Sequence, residues 1–198
     1  MKGVDDGAHD AQARGEVLKT LLAAPDPRAR AGAARVVVDW ADRLEQPVEL
    51  LAASVDDPEP CVRLEGVRAL AALGGKRAAE LVLHAVDHPR DDALDYAVWL
   101  AARELQDAWV PALLDGSLAD DGKLARILFA VQAAEATAPI PLLVARLQAG
   151  SVSQADRPAL LDNVANMAWN GLPLDYLDTW TAQVQKLTLK DVRTAFAK

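Results

Sequence analysis

The chain has 198 residues, a formal net charge of −8 and only 5% aromatic residues, with Ala (40) and Leu (29) supplying roughly a third of it. That length gives one ordinary domain or two small ones, and a composition with two Ile excludes a sheet protein while favouring helices. Hydrophobic residues at 52% argue for a packed core, and an acidic chain with no Lys/Arg run longer than two residues excludes generic nucleic-acid binding.

Residues 1–8 are expected to be disordered. After them, Pro, Gly and Asp punctuate a series of helical stretches. Asp26-Pro27 opens one whose apolar positions Ala29, Ala33, Val37, Trp40 and Leu44 recur at helical spacing. Gln46-Pro47 ends it, and a short helix to Val55 follows. Asp57-Pro58-Glu59-Pro60 opens the next, with Val62, Gly66, Leu70 and Leu73 on one face, and Gly74-Gly75 stops it. A helix over 76–87 is closed by His88-Pro89. Asp91-Asp92 start a long helix to about Gln106 with Leu94, Val98, Ala101 and Leu105 inward. Further stretches follow at 109–114, around Leu124 to Val131, at 139–148, at 153–169 and at 173–186. Thr188-Leu189-Lys190-Asp191 resembles a capping box before a last helix carrying Val192 and Phe196. No convincing strand is present.

Cys61 is the single cysteine, so an intramolecular disulfide is excluded and a reducing compartment fits. Met1 to Asp6 lacks an apolar stretch of the kind a signal peptide carries, and the longest apolar run, Tyr96 to Ala102, is too short to cross a membrane. The expectation is a soluble cytoplasmic protein with no membrane partner.

The helices pair, and the pairs repeat. Asp26-Pro27-Arg28-Ala29-Arg30 overlays Glu59-Pro60-Cys61-Val62-Arg63 at an offset of 33, which also puts Ala33 on Gly66 and Val37 on Leu70. A third unit begins around His88-Pro89-Arg90-Asp91-Asp92. A period near 30 residues with one hairpin per unit marks a solenoid, because one hairpin cannot bury its apolar face alone. Ala33, Ala34 and Gly66 allow close helix approach.

Asp-Pro-x-x-Arg followed by an Ala/Val/Leu-rich helix resembles the HEAT repeat. More narrowly, 15–161 is similar to the HEAT-like segment of large secreted bacterial proteins that also carry a sugar-dehydrogenase-like propeller and a haem-binding C-x-x-C-H module. The residues that carry this are Asp26 to Ala31, Val62 to Leu70 and His88 to Tyr96. Propeller and C-x-x-C-H are lacking, so only the scaffold is implied, together with the protein-interaction role of HEAT repeats as a class. Leu161 to Asn166, Gly171 to Trp180 and Leu187 to Val192 resemble the C-terminal region of pitrilysin-type zinc peptidases. Two pedigrees in one short chain read as a composite: a natural fusion, a mistranslated fragment or an artificial sequence.

Several groups invite a chemical reading. His84-Ala85-Val86-Asp87-His88 reads as H-x-x-D-H, near the H-x-x-E-H of inverted zinc peptidases, and two His at i and i+4 can share a zinc. Asp reaches less far than Glu, and Pro89 favours a helix end where that motif needs helix. Asp87, Asp91, Asp92 and Asp95 lack the order of a calcium loop, and Asp91 and Asp92 suit a helix N-terminus, as do Asp56-Asp57 and Asp120-Asp121. Cys61 begins a helix but has no base placed beside it, so it reads as a packed or half-exposed structural residue. Ser54, Ser117, Ser151 and Ser153 read as caps and turns, and Gly74-Gly75 as a turn rather than a phosphate loop.

Arg30 and Arg63 hold the position where HEAT arginines pair with an acid, and Asp26 and Glu59 are the candidate partners of an inter-repeat ladder. In the third unit Asp92 stands where Arg is expected. Trp40 and Trp180 read as core. Trp99 and Trp109 lean towards burial but would be interface anchors if exposed.

These readings combine into an all-α, HEAT-like α-solenoid of about five or six helical hairpins, wound as a right-handed superhelix. The repeat array covers 9–161, and 162–198 is a helical tail acting as a C-terminal cap. The expected function is a non-catalytic protein-interaction module or scaffold without cofactor or metal. Its expected partner is another protein, contacted through the second helices of the pairs and the loops, with Tyr96, Trp99, Arg103 and Trp109 as contact residues. Two alternatives stand beside it: an antitoxin- or inhibitor-like neutraliser of a basic partner, and a zinc-dependent hydrolase remnant using His84 and His88.

Overall fold

The computed structural model describes residues 5–119 and 121–170. Trp180, the capping box at 188–191, Phe196 and most of the expected tail cap lie outside the described residues, as do residues 1–4. Among the described residues the chain is all helix and turn: α1 (Asp5–Leu22), α2 (Pro27–Asp39), α3 (Pro47–Leu50), α4 (Pro60–Leu73), α5 (Gly75–His84), α6 (Asp92–Glu104), α7 (Gln106–Leu114), α8 (Leu124–Ala134), α9 (Ile140–Gln148) and α10 (Arg157–Asn170). Short 3₁₀ turns at 41–43, 52–56 and 85–87 extend α2, α3 and α5. Within the segment expected to be disordered, α1 already begins at Asp5.

Local chemistry sets these boundaries. Pro27, Pro47 and Pro60 sit in first turns, where a missing N–H costs nothing. The Asp26 carboxylate accepts from the Arg28 N–H at 2.9 Å and Asp91 from the Leu94 N–H at 2.8 Å, each capping the helix that follows. Gly74 and Gly75 take φ of 76° and 86°, so α4 turns directly into α5 in a conformation that L side chains resist. The helix opened by Asp26-Pro27 stops earlier than its periodicity suggests, because Trp40 leaves helical geometry and the chain tightens into 41–43. The helix expected from Ser153 starts at Arg157, after Ser153 has capped the N–H of Asp156.

The first helices of the units, α2, α4, α6, α8 and α10, pack side by side in one row. The second row runs from α3 and its 3₁₀ turn through α5 to α7. Four hairpins are complete among the described residues, with α1 against the first and α10 opening the next. One continuous core joins them, from Leu18 through Val37, Leu70, Val98 and Ile127 to Leu160. A single hairpin has no such core, which is why the units stack.

The seam between α4 and the 52–56 turn is especially close. A Cβ on Gly66 would stand 2.7 Å from Ser54 Cβ and 3.2 Å from its carbonyl carbon. Gly to Ala inside a helix ordinarily stabilises by about 1 kcal/mol. Here Gly66→Ala is expected to destabilise by about 1–2 kcal/mol, because the backbone must separate. Urea unfolding should show a lower midpoint at unchanged slope. An unchanged or higher midpoint would show that the seam opens without cost.

The arginine rungs differ from the expected pairing. Arg30 pairs with Asp57 of the next unit rather than with Asp26, through Nε to Oδ2 at 2.7 Å and Nη2 to Oδ1 at 2.8 Å. The physical reason is that the Asp26 carboxylate is engaged by its own helix, while Arg30, one turn on, reaches the following loop. Arg63 pairs with carbonyls rather than with Glu59: Nη1 donates to Asp57 at 2.6 Å and Pro58 at 3.0 Å, and Nη2 to Pro89 at 2.8 Å. Further links join the units. Arg35 grips Glu65 at 2.9 and 2.8 Å, Arg77 reaches Glu49 at 2.9 Å, and Glu80 accepts from the Ala119 N–H at 3.0 Å.

Candidate interaction surface

Helix α6 has two unlike faces. Leu94, Val98, Ala101 and Ala102 are buried at helical spacing. One step off that stripe, Tyr96 is 61% exposed and Trp99 37% exposed. Their rings stack with centroids 5.8 Å apart and an interplanar angle of 22°. The Arg103 guanidinium lies 4.9 Å from the Trp99 ring centroid. Its Nη1 donates to the Ala133 carbonyl at 2.9 Å, at the end of α8. Arg103 therefore fixes Trp99 from above while tying α6 to α8, and the aromatic pair is presented without freedom to collapse.

Beside the pair runs a groove of about 590 Å³ between α4 and α6. Leu64, Ala72, Ala93, Ala97 and Leu100 give it an apolar lining, with Tyr96 among them and Arg68 and Glu104 as charged members. Small Ala side chains leave the depth, and the aromatic pair stands over the α6 wall. Rigid aromatic surface next to an apolar groove is the arrangement that anchors a protein partner.

The structure brings together three of the four expected contact residues and removes the fourth. Tyr96, Trp99 and Arg103 form one patch. Trp99, read as leaning towards burial, is exposed. Trp109 is wholly buried, and its Nε1 donates to the Ala102 carbonyl at 2.8 Å, so it belongs to the core. Its position explains this: Trp109 follows Leu105 by four residues and precedes Ala112 and Leu113, all inward. The patch also lies on a first helix of a pair, not on the second helices. The groove beside α6 was missed by sequence reasoning, since depth between two helices has no signature in either one alone.

His84 and His88 are engaged differently from a metal pair. His88 Nε2 is 2.8 Å from Asp56 Oδ1, and His84 lies between Asp56 at 3.8 Å and Asp121 at 3.5 Å. The helix ends at His84, so the i, i+4 register does not continue through His88. Among the described residues no group of three or more His, Cys, Asp or Glu is arranged to hold a metal ion. Asp87 instead takes Lys123 and Arg126. Cys61, read as packed or half-exposed, is exposed at the start of α4. Among the described residues no helix is long and apolar enough to cross a membrane.

No curated protein and no solved structure matches the chain. The narrower likeness to the secreted haem-binding proteins and the likeness of the tail to pitrilysin-type peptidases therefore stand without a match. The family model described as HEAT repeats matches residues 15–106, from within α1 to the first residue of α7. HEAT repeats are generally non-catalytic and commonly act as protein-interaction scaffolds. With its stacked hairpins, the chain is an all-α, HEAT-like solenoid, and residues 15–106 are the segment similar to HEAT repeats.

Proposed function

We propose that this protein is a non-catalytic interaction module that engages a partner protein through Tyr96, Trp99 and Arg103 and the neighbouring α4–α6 groove. The observation that carries this reading is the exposed, stacked aromatic pair, pinned by Arg103, in a chain so poor in aromatics. Tyr and Trp supply large contact area at small entropy cost, and Arg is the cation most often found with them at interface centres. The single cysteine accords with a reducing, cytoplasmic setting. The net charge of −8 supports a basic partner, and under that reading the module acts as a neutraliser.

Tyr96→Ala and Trp99→Ala test the surface directly. Each is expected to cost about 1–2 kcal/mol, the scale of the lost ring stacking and, for Trp99, of the Arg103 contact, and so to leave the fold intact. Each should abolish partner capture measured by affinity purification and mass spectrometry at low and high salt. Capture that survives both substitutions removes the patch from consideration. Capture of the same basic protein that weakens with salt supports the neutraliser reading, and salt-insensitive capture counts against it.

A further inference from the structure

Arg30 and Arg63 occupy the same position in successive units, and one side of each guanidinium is held alike. Arg30 Nη1 donates to the carbonyls of Ala24 at 2.9 Å and Pro25 at 3.1 Å. Arg63 Nη1 donates to the carbonyls of Asp57 and Pro58, the residues 33 positions further on. The other edge differs. In Arg30, Nε and Nη2 grip both oxygens of the Asp57 carboxylate. The position 33 residues after Asp57 is Arg90, which has no carboxylate to give. The Arg90 side chain turns away to the Val86 carbonyl and to Asp95, and lies 5.2 Å from the Phe129 ring centroid. Arg63 Nη2 is left with the Pro89 carbonyl, and its Nε, buried, meets no acceptor among the described residues.

Arg63 is only 4% exposed, so this is a buried cation whose two-pronged edge lacks the anion that its counterpart has. It lines a cavity of about 470 Å³ between the loops that open α4 and α6. The start of α4 borders the same space and is itself under-capped. The Glu59 side chain makes no cap bond, whereas Asp26 caps α2. The acids around the cavity are already engaged: Asp57 by Arg30, Asp56 by His88 and Asp91 by the Leu94 N–H.

We propose that the cavity between the starts of α4 and α6 binds a carboxylate on the Nε/Nη2 edge of Arg63, completing in this unit the rung that Asp57 completes in the one before. The carboxylate comes either from a small organic acid or from an Asp or Glu side chain of a partner protein. The site is separate from the aromatic patch and stands or falls independently of it.

The test titrates the ¹⁵N-labelled full chain with sodium acetate, and separately with a short end-capped peptide containing one glutamate. Arginine Nε–H resonances are followed at constant ionic strength, with chloride as the control. One resonance, absent in Arg63→Lys, should shift and saturate with carboxylate but not with chloride. Arg90→Asp, which restores the missing acid within the chain, should weaken that binding ~10-fold or more, the scale of one charge-assisted hydrogen bond. Saturation with acetate makes a free acid sufficient; saturation with the peptide alone makes a protein side chain the source; both support the site. The proposal is overturned if neither ligand gives a saturable shift, or if chloride gives the same one. Should Arg63→Lys not fold, Arg90→Asp supplies the assignment, because it moves the same resonance before any ligand is added.

Discussion

Trp109→Ala is expected to destabilise the protein by about 3–5 kcal/mol, the largest loss from any single truncation considered. Trp109 is wholly buried, and its indole N–H is the partner of the Ala102 carbonyl one helix back. Alanine leaves a void where α6 and α7 meet, and it strands that carbonyl. Denaturant unfolding gives the magnitude. Trp109→Phe refills much of the volume but not the hydrogen bond, so its smaller loss separates packing from bonding. A Trp109→Ala loss no larger than that of Trp99→Ala would mean that the two tryptophans had been assigned to the wrong sides of the wall.

Asp87→Asn should come second, at about 3 kcal/mol. Arg126 is 3% exposed, and it donates from Nε and Nη2 to Asp87 and from Nη1 to Asp121 at 2.8 Å. Removing one charge leaves a buried guanidinium leaning on Asp121 alone, which is itself on the surface. The Arg126 hydrogen bonds hold the Asp87 carboxyl down at about 2, with Lys123 adding to the effect and burial opposing it. Because the folded value lies below the unfolded one near 3.8, this contribution is complete above about pH 4. It fades as the pH falls towards and through 2. Arg35 likewise holds Glu65 below its ordinary value, and Arg126 does the same for Asp121. Stability measured against pH should therefore fall on the acid side, and Asp87→Asn should flatten part of that fall. An acid limb identical in the two proteins would remove Asp87 from the account.

The repeat array was readable because its signals are local. Asp26 and Asp91 announce helix starts, Gly74-Gly75 announces a reversal, and the 33-residue offset aligns the starts of α2 and α4. The exposure of Tyr96 and Trp99 was also within reach, since both fall off the stripe of Leu94, Val98 and Ala101. Trp109 could have been placed inside by the same argument from Leu105, but α7 is short and offers few turns to count. The rungs were harder. Arg30 has acids at several distances in sequence, and only the loop geometry selects Asp57 over Asp26. The orphaned Nε of Arg63 was invisible for the same reason: it follows from what a neighbouring loop fails to supply.

Asp57 itself has a consequence for how the array comes apart. Its carboxylate takes Arg30 of α2 and the N–H of Glu59 at 2.9 Å, and its carbonyl takes Arg63 of α4. Burial works against its charge, yet the Arg30 and Glu59 bonds keep its carboxyl below the ordinary value. One residue thus transmits order between two units. Melting α2 releases the carboxylate and, through the same residue, slackens the arginine that anchors α4. In a linear array governed by nearest-neighbour coupling, that shared junction fuses the first two hairpins into a single melting block rather than two that unzip in turn.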